Sequence, residues 1–77
     1  MTRADVIQAP ILRMKGSELK RLREAAKIGT RELAAKMSVW EWNAMTVSRH
    51  EDSAWFDLPD AEMRDLCSQL GATVTIL

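Results

Sequence analysis

Apolar residues recur along this chain in two rhythms. Between residues 17 and 70 they fall three, four or seven positions apart, the spacing that lines one face of an α-helix. At the two ends they form short runs that read as extended chain. A first helix is expected over residues 18–27, with Ser17 as its N-cap and Leu19, Leu22 and Ala26 on one face. Ile28 and Gly29 break it. Gly29 can cap a second helix over residues 30–37, with Glu32 in its first turn and Leu33, Ala34 and Met37 as the inner stripe. Asn43 can cap a third over residues 44–51, with Val47 facing inward. Residues 52–58 are expected to be a loop carrying Trp55 and Phe56. Leu58-Pro59-Asp60 opens a fourth helix, Met63, Leu66 and Leu70 face inward, and Gly71 ends it as a left-handed cap residue.

The ends read differently. Val6 to Ala9 and Ile11 to Met14 are candidate extended segments separated by Pro10, which breaks a helix and confines a strand to an edge. The tail from Ala72 is β-branched and alternating, so it reads as a strand. A single strand needs a partner, either the N-terminal segment or the same strand of a second chain. The expected organisation is an N-terminal extended segment, 1–15, a helical domain, 16–71, and a C-terminal strand, 72–77. Thr73, Val74, Thr75, Ile76 and Leu77 are the candidate dimerisation element. The fold class expected is all-α: a bundle of about four helices, with short terminal segments as candidates for an intermolecular sheet.

Residues 38–42, Ser-Val-Trp-Glu-Trp, fit neither rhythm. They read either as an added helical turn or as a rigid aromatic turn. The three tryptophans stand beside one Phe and no Tyr. They are either core fillers or a contact surface, where Trp is enriched.

Composition narrows the classes. A chain of 77 residues makes one domain and buries only about 60% of its unfolded surface. Cys67 and His50 are the single Cys and His, so an intrachain disulfide and a tetrahedral Cys/His zinc site are both excluded. Oligomerisation is then the expected source of further burial. The sequence holds no Gly-rich phosphate loop and no arrangement of a nucleophile with a histidine, so neither an enzyme nor a cofactor is expected. No run approaches the roughly 20 apolar residues of a membrane span, and none follows Arg3 and Asp5 as in an export signal. No membrane role is expected, and the expected compartment is the cytoplasm. His50 is expected to pack as an imidazole and Cys67 as a small core residue.

The net charge is zero but polarised. Residues 1–50 hold ten Lys and Arg against five Asp and Glu, whereas residues 51–77 hold one against six. A domain charged in this way can hold DNA on its basic side. The second and third helices, short and close in sequence, suggest a helix-turn-helix, which delivers its second helix into the major groove. On that reading Ala44, Met45 and Arg49 reach base edges. Arg49 suits guanine, and Ala44 and Met45 suit thymine methyls. Asn43, Thr46 and Ser48 suit phosphates or nearby edges, and Thr30 and Arg31 suit a phosphate at the start of the second helix.

Four blocks in order carry a family resemblance over about residues 17–70: Leu19-Lys20-Arg21-Leu22-Arg23-Glu24, Arg31-Glu32-Leu33-Ala34-Ala35-Lys36-Met37, Met45-Thr46-Val47-Ser48-Arg49-His50-Glu51, and Leu66-Cys67-Ser68-Gln69-Leu70-Gly71. The chain resembles the Xre/Cro–C1 family of phage and bacterial helix-turn-helix proteins. The resemblance implies a lambda-repressor-like fold, and it implies that Arg23 pairs with Glu51 at the end of the recognition helix. The chain departs from the family pattern between helices two and three. The preferred alignment puts Trp42 and Asn43 where the family has its valine and serine cap, with an extra turn before them. The family's usual glutamine is Thr30, and the loop after Glu51 is aromatic and acidic instead of basic.

The function this implies is a sequence-specific repressor, bound as a homodimer to a palindrome in double-stranded DNA and regulating its own operon. Such a dimer covers promoter DNA and excludes polymerase. Two alternatives stand beside it. One is an antitoxin whose acidic 51–65 region faces a basic toxin, or a phage-borne regulator such as an anti-CRISPR-associated repressor. The other is a protein-binding adaptor that kept the fold without DNA.

Overall fold

The computed structural model describes residues 11–72. In order these form strand β1 (Ile11–Lys15), helices α1 (Gly16–Ala25) and α2 (Thr30–Lys36), a 3₁₀ turn (Ser38–Trp40), helix α3 (Ala44–Asp52), strand β2 (Trp55–Pro59) and helix α4 (Asp60–Gln69). The domain is mostly helical but not purely all-α, because β1 and β2 pair as a two-stranded antiparallel sheet.

That sheet corrects the reading of residues 52–58 as a loop. Trp55–Pro59 alternates, with Phe56 and Leu58 buried and Trp55, Asp57 and Pro59 exposed. Its register sets Ile11 opposite Pro59, Arg13 opposite Asp57 and Lys15 opposite Trp55. Ile11–Lys15, the described part of the N-terminal extended segment, therefore finds a partner inside its own chain, and the candidate segment Val6 to Ala9 lies outside the described residues. Period-two alternation was present in Trp-Phe-Asp-Leu-Pro, but the aromatic and acidic composition, with Pro59 at its end, masked it. Residues 73–77, the expected dimerisation strand, lie outside the described residues.

Helix α1 begins two residues earlier than expected, and Ser17 is not its cap. It follows β1 directly, with no side-chain cap, and the Gly16 N–H points at the Ala54 carbonyl. The first turn of α1 abuts the last turn of α3 so closely that a β-carbon on Gly16 would collide with the carbonyl oxygens of His50, Glu51 and Ser53. The bond from the Gly16 N–H to the Ala54 carbonyl, just past α3, thus satisfies one donor at a start that has no side-chain cap.

At its other end α1 closes in a Schellman motif. The Ile28 N–H donates to the Arg23 carbonyl at 3.3 Å and the Lys27 N–H to the Glu24 carbonyl at 3.0 Å. The left-handed residue is Lys27, at φ 60°. A side chain there is strained, and Ala26 is turned out to solvent instead of joining the inner face. Lys27→Gly is expected to stabilise the domain by about 0.5–1 kcal/mol, the relieved strain outweighing the added unfolded-state entropy. A thermal melt checks this; an unchanged or lower midpoint counts against it.

Residues 38–42 hold an added helical turn, of 3₁₀ type and separate from α2. Met37 closes α2, a 3₁₀ turn follows, and Glu41, left-handed at φ 63°, swings the chain back toward α3. The core runs through every helix: Leu19, Leu33, Met37, Val47 and Leu66 are completely or almost completely buried. The expected inner stripes of α2 and α4 are buried, and so is Cys67. From the sheet side Phe56 and Leu58 join the cluster, with Leu12 and Met14 packed against it. Gly71 takes the expected left-handed conformation, at φ 70°.

Candidate nucleic-acid interface

Helix α3 is built to be held firmly. The Asn43 side chain accepts from the Thr46 N–H at 2.9 Å, while the Thr46 hydroxyl accepts from the Asn43 N–H at 3.2 Å. This reciprocal box starts the helix as the sequence suggested. It also commits the Asn43 side-chain oxygen and the Thr46 hydroxyl to the helix itself.

At the far end Arg23 grips Glu51 in a two-point contact, Nε to Oε2 at 2.6 Å and Nη2 to Oε1 at 3.1 Å. Both side chains are nearly buried, at 13% and 8% exposure. A third donor, Nη1, reaches the Ile28 carbonyl at 3.0 Å. One guanidinium therefore ties the end of α1, the turn before α2 and the end of α3. The bond to Glu51 raises the Arg23 pKa above its ordinary value. The pair that the family resemblance implied is present.

The outward face of α3 is Met45, Ser48, Arg49 and Asp52, one stripe at i, i+3, i+4 and i+7. Met45 is 61% exposed. Arg49 is exposed and makes no ion pair among the described residues. Ala44 is half-buried beside this stripe. On α2, Arg31 is exposed and Thr30 half-buried at the first turn, which Gly29 opens without a side-chain cap.

The tryptophans take three different roles. Trp42 is buried and donates its indole N–H to Glu62 at 2.6 Å; Trp40 is half-buried and donates to Asp65 at 2.8 Å. The turn at Glu41 lets both face α4 while Glu41 itself stays exposed. Asp65 is half-buried, on the side of α4 that faces this turn. Trp55 is exposed, with the Lys15 ammonium 5.3 Å from its ring centroid, in cation–π range. Buried indoles seek an acceptor, which was a usable signal, but nothing in the sequence said which carboxylates would supply it.

Of the six carboxylates beyond residue 50, five have internal partners: Glu51 with Arg23, Asp57 with Arg13, Asp60 with Arg64, Glu62 with Trp42 and Asp65 with Trp40. Lys20, Lys27, Arg31, Lys36 and Arg49 have no such partner among the described residues. The indoles are neutral, so Glu62 and Asp65 keep their charge, and the four ion pairs among the described residues leave positive and negative side chains in equal number.

His50 packs as expected. Its ring stacks on Phe56 at 4.4 Å and tilts against Trp42 at 5.1 Å. Desolvation lowers its pKa below the ordinary 6.5, against a smaller opposing pull from Glu62. Above pH 6.5 the imidazole is neutral folded or unfolded. Below it the unfolded chain takes up a proton that the folded chain resists, so stability falls as pH drops through 6.5 toward the folded pKa. His50→Phe, which keeps the stacked ring, should flatten denaturation midpoints over that window. An unaltered slope would remove His50 as the cause. Burial likewise raises the Cys67 thiol, which favours an unreactive, protonated sulfur.

No helix among the described residues is long and apolar enough to cross a membrane. No family model matches the chain, and no characterised protein or solved structure matches it either.

Proposed function

We propose that this protein is a sequence-specific DNA-binding repressor of the helix-turn-helix type. In this reading α2 and α3 are the motif, in a lambda-repressor-like arrangement with β1 and β2 added, and α3 is the recognition helix. The observation that carries it is the exposed stripe of Met45, Ser48 and unpaired Arg49 on a helix capped at its start and tied to α1 at its end. Arg49 has the fork geometry to read guanine O6 and N7, and Met45, one turn away, offers an apolar contact for a thymine methyl. Lys27, Arg31 and Lys36 supply attraction to phosphates.

One recognition helix reads too few base pairs for a genome, so the protein acts as a homodimer on a palindrome with half-sites about one helical turn apart. Residues 73–77 remain the proposed dimer contact. The dimer blocks a promoter in the cytoplasm, that of its own operon in this reading. The antitoxin alternative draws less support than the bare charge count suggested, because three of the six carboxylates it would offer a basic toxin are already paired with arginines of this chain.

Selection from randomised duplex DNA tests the proposal, followed by binding of the winning sequence at two salt concentrations. An enriched inverted repeat whose affinity falls steeply with salt is the expected result. Arg49→Ala should melt like the parent and bind the selected duplex about 10- to 100-fold more weakly, matching the loss of a bidentate base contact. No enrichment by the folded protein would turn the assignment toward the protein-binding adaptor.

A further inference from the structure

The Asn43–Thr46 box is local, so it starts α3 without orienting it. The Arg23–Glu51 pair orients only the C-terminal end. The N-terminal end, which carries Met45, needs its own tie to the rest of the molecule. Trp42 supplies one. It immediately precedes the N-cap, it is 7% exposed, and its N–H is spent on Glu62 of α4. Its ring also lies against His50, further along α3. One residue therefore precedes the start of α3, meets its last turn at His50 and is itself fastened to another helix. Trp40 and Asp65, three positions on from Glu62, repeat the same bond at the edge of the turn.

We infer that Glu62 is a positioning residue for α3: by accepting the Trp42 indole N–H, it fixes the direction in which the Met45–Arg49 face points. Its consequence for binding rests on the DNA reading above. The segment that departs from the resembling family is thus a bracket between α3 and α4. Only the acceptor oxygen matters to it, since an indole N–H needs an acceptor and not a charge. Glu62→Gln should therefore replace Glu62, whereas Glu62→Ala and Trp42→Phe should not.

The test is hydrogen exchange in the free, full-length protein, well below the melting point. In Glu62→Ala and Trp42→Phe, the hydrogen-bonded amides of Thr46 and Val47 should exchange about tenfold faster, while those of Leu33 and Leu70 keep the parent rate, as expected for local opening. Glu62→Gln should keep the parent rate everywhere. Should Trp42→Phe fail to fold, the two Glu62 variants decide the matter. Uniform acceleration of all these amides, no acceleration, or no rescue by Gln would overturn the inference. The same variants are then titrated with the selected duplex, where about tenfold weaker binding by Glu62→Ala and parental binding by Glu62→Gln are expected. Because exchange is read without DNA, a parent that selects no duplex defeats the DNA reading while leaving the bracket to its own result.

Discussion

Arg23→Ala should leave the domain largely unfolded at room temperature. The substitution strands the Glu51 carboxylate, 8% exposed, and removes the donor to the Ile28 carbonyl. Breaking a buried pair from one side costs about 3–5 kcal/mol. A domain of this size is worth only about 0.05–0.15 kcal/mol per residue in total. Circular dichroism in a denaturant series should show a collapsed or missing folded baseline. Arg23→Lys should fall between, because a lysine keeps the charge but loses the two-point grip. The double variant Arg23→Met with Glu51→Leu should recover much of the loss, since apolar replacement of a whole buried pair is often neutral or better. If Arg23→Ala melted near the parent and Arg49→Ala did not, the roles given to the two arginines would be reversed and the placement of α3 would be wrong.

Gly16→Ala should destabilise the domain by about 1–3 kcal/mol, and Gly16→Val by more. The sign is diagnostic. At an ordinary helical position the same change from Gly to Ala gains about 0.5–1 kcal/mol. Here the new methyl meets three backbone carbonyls, of His50, Glu51 and Ser53, which cannot rotate away as a side chain would. Relief requires α1 to back off from α3, loosening Leu19 and Val47 and the approach of Arg23 to Glu51. Denaturant midpoints at constant m-value would measure the loss. A variant as stable as the parent would mean that the two helices do not meet at Gly16.

The parts of the fold legible in the sequence share one property: their cause lies within a few residues. The stripes of α2 and α4, the Asn43 cap, the Gly29 start of α2 and the left-handed Gly71 each follow from side chains next to the feature they produce. His50 and Cys67 were legible as packed residues because little else in the chain could employ them. The Arg23–Glu51 pair is long-range, and only the family resemblance made it readable. The exposed stripe of α3 follows from helical period and holds Met45, Ser48 and Arg49 as expected; Asn43 and Thr46 proved to be engaged in the cap.

What failed to show in the sequence depends on contacts between distant segments. Trp55–Pro59 is a strand because Ile11–Lys15 lies beside it, and no local rule chose that partner over a second chain. Helix α1 starts at Gly16, ahead of Ser17, where its first N–H meets the carbonyl of Ala54 and its backbone lies tight against the end of α3. Two tryptophans divided by Glu41 face the same helix because the backbone turns left-handed between them. Hydrophobic period and cap chemistry, both short-range, thus determined the helices and the residues α3 exposes. The tertiary structure alone decided where the strands, the indoles and Asp57 find their partners, because a hydrogen bond or ion pair across the fold exists only once distant segments have been brought together.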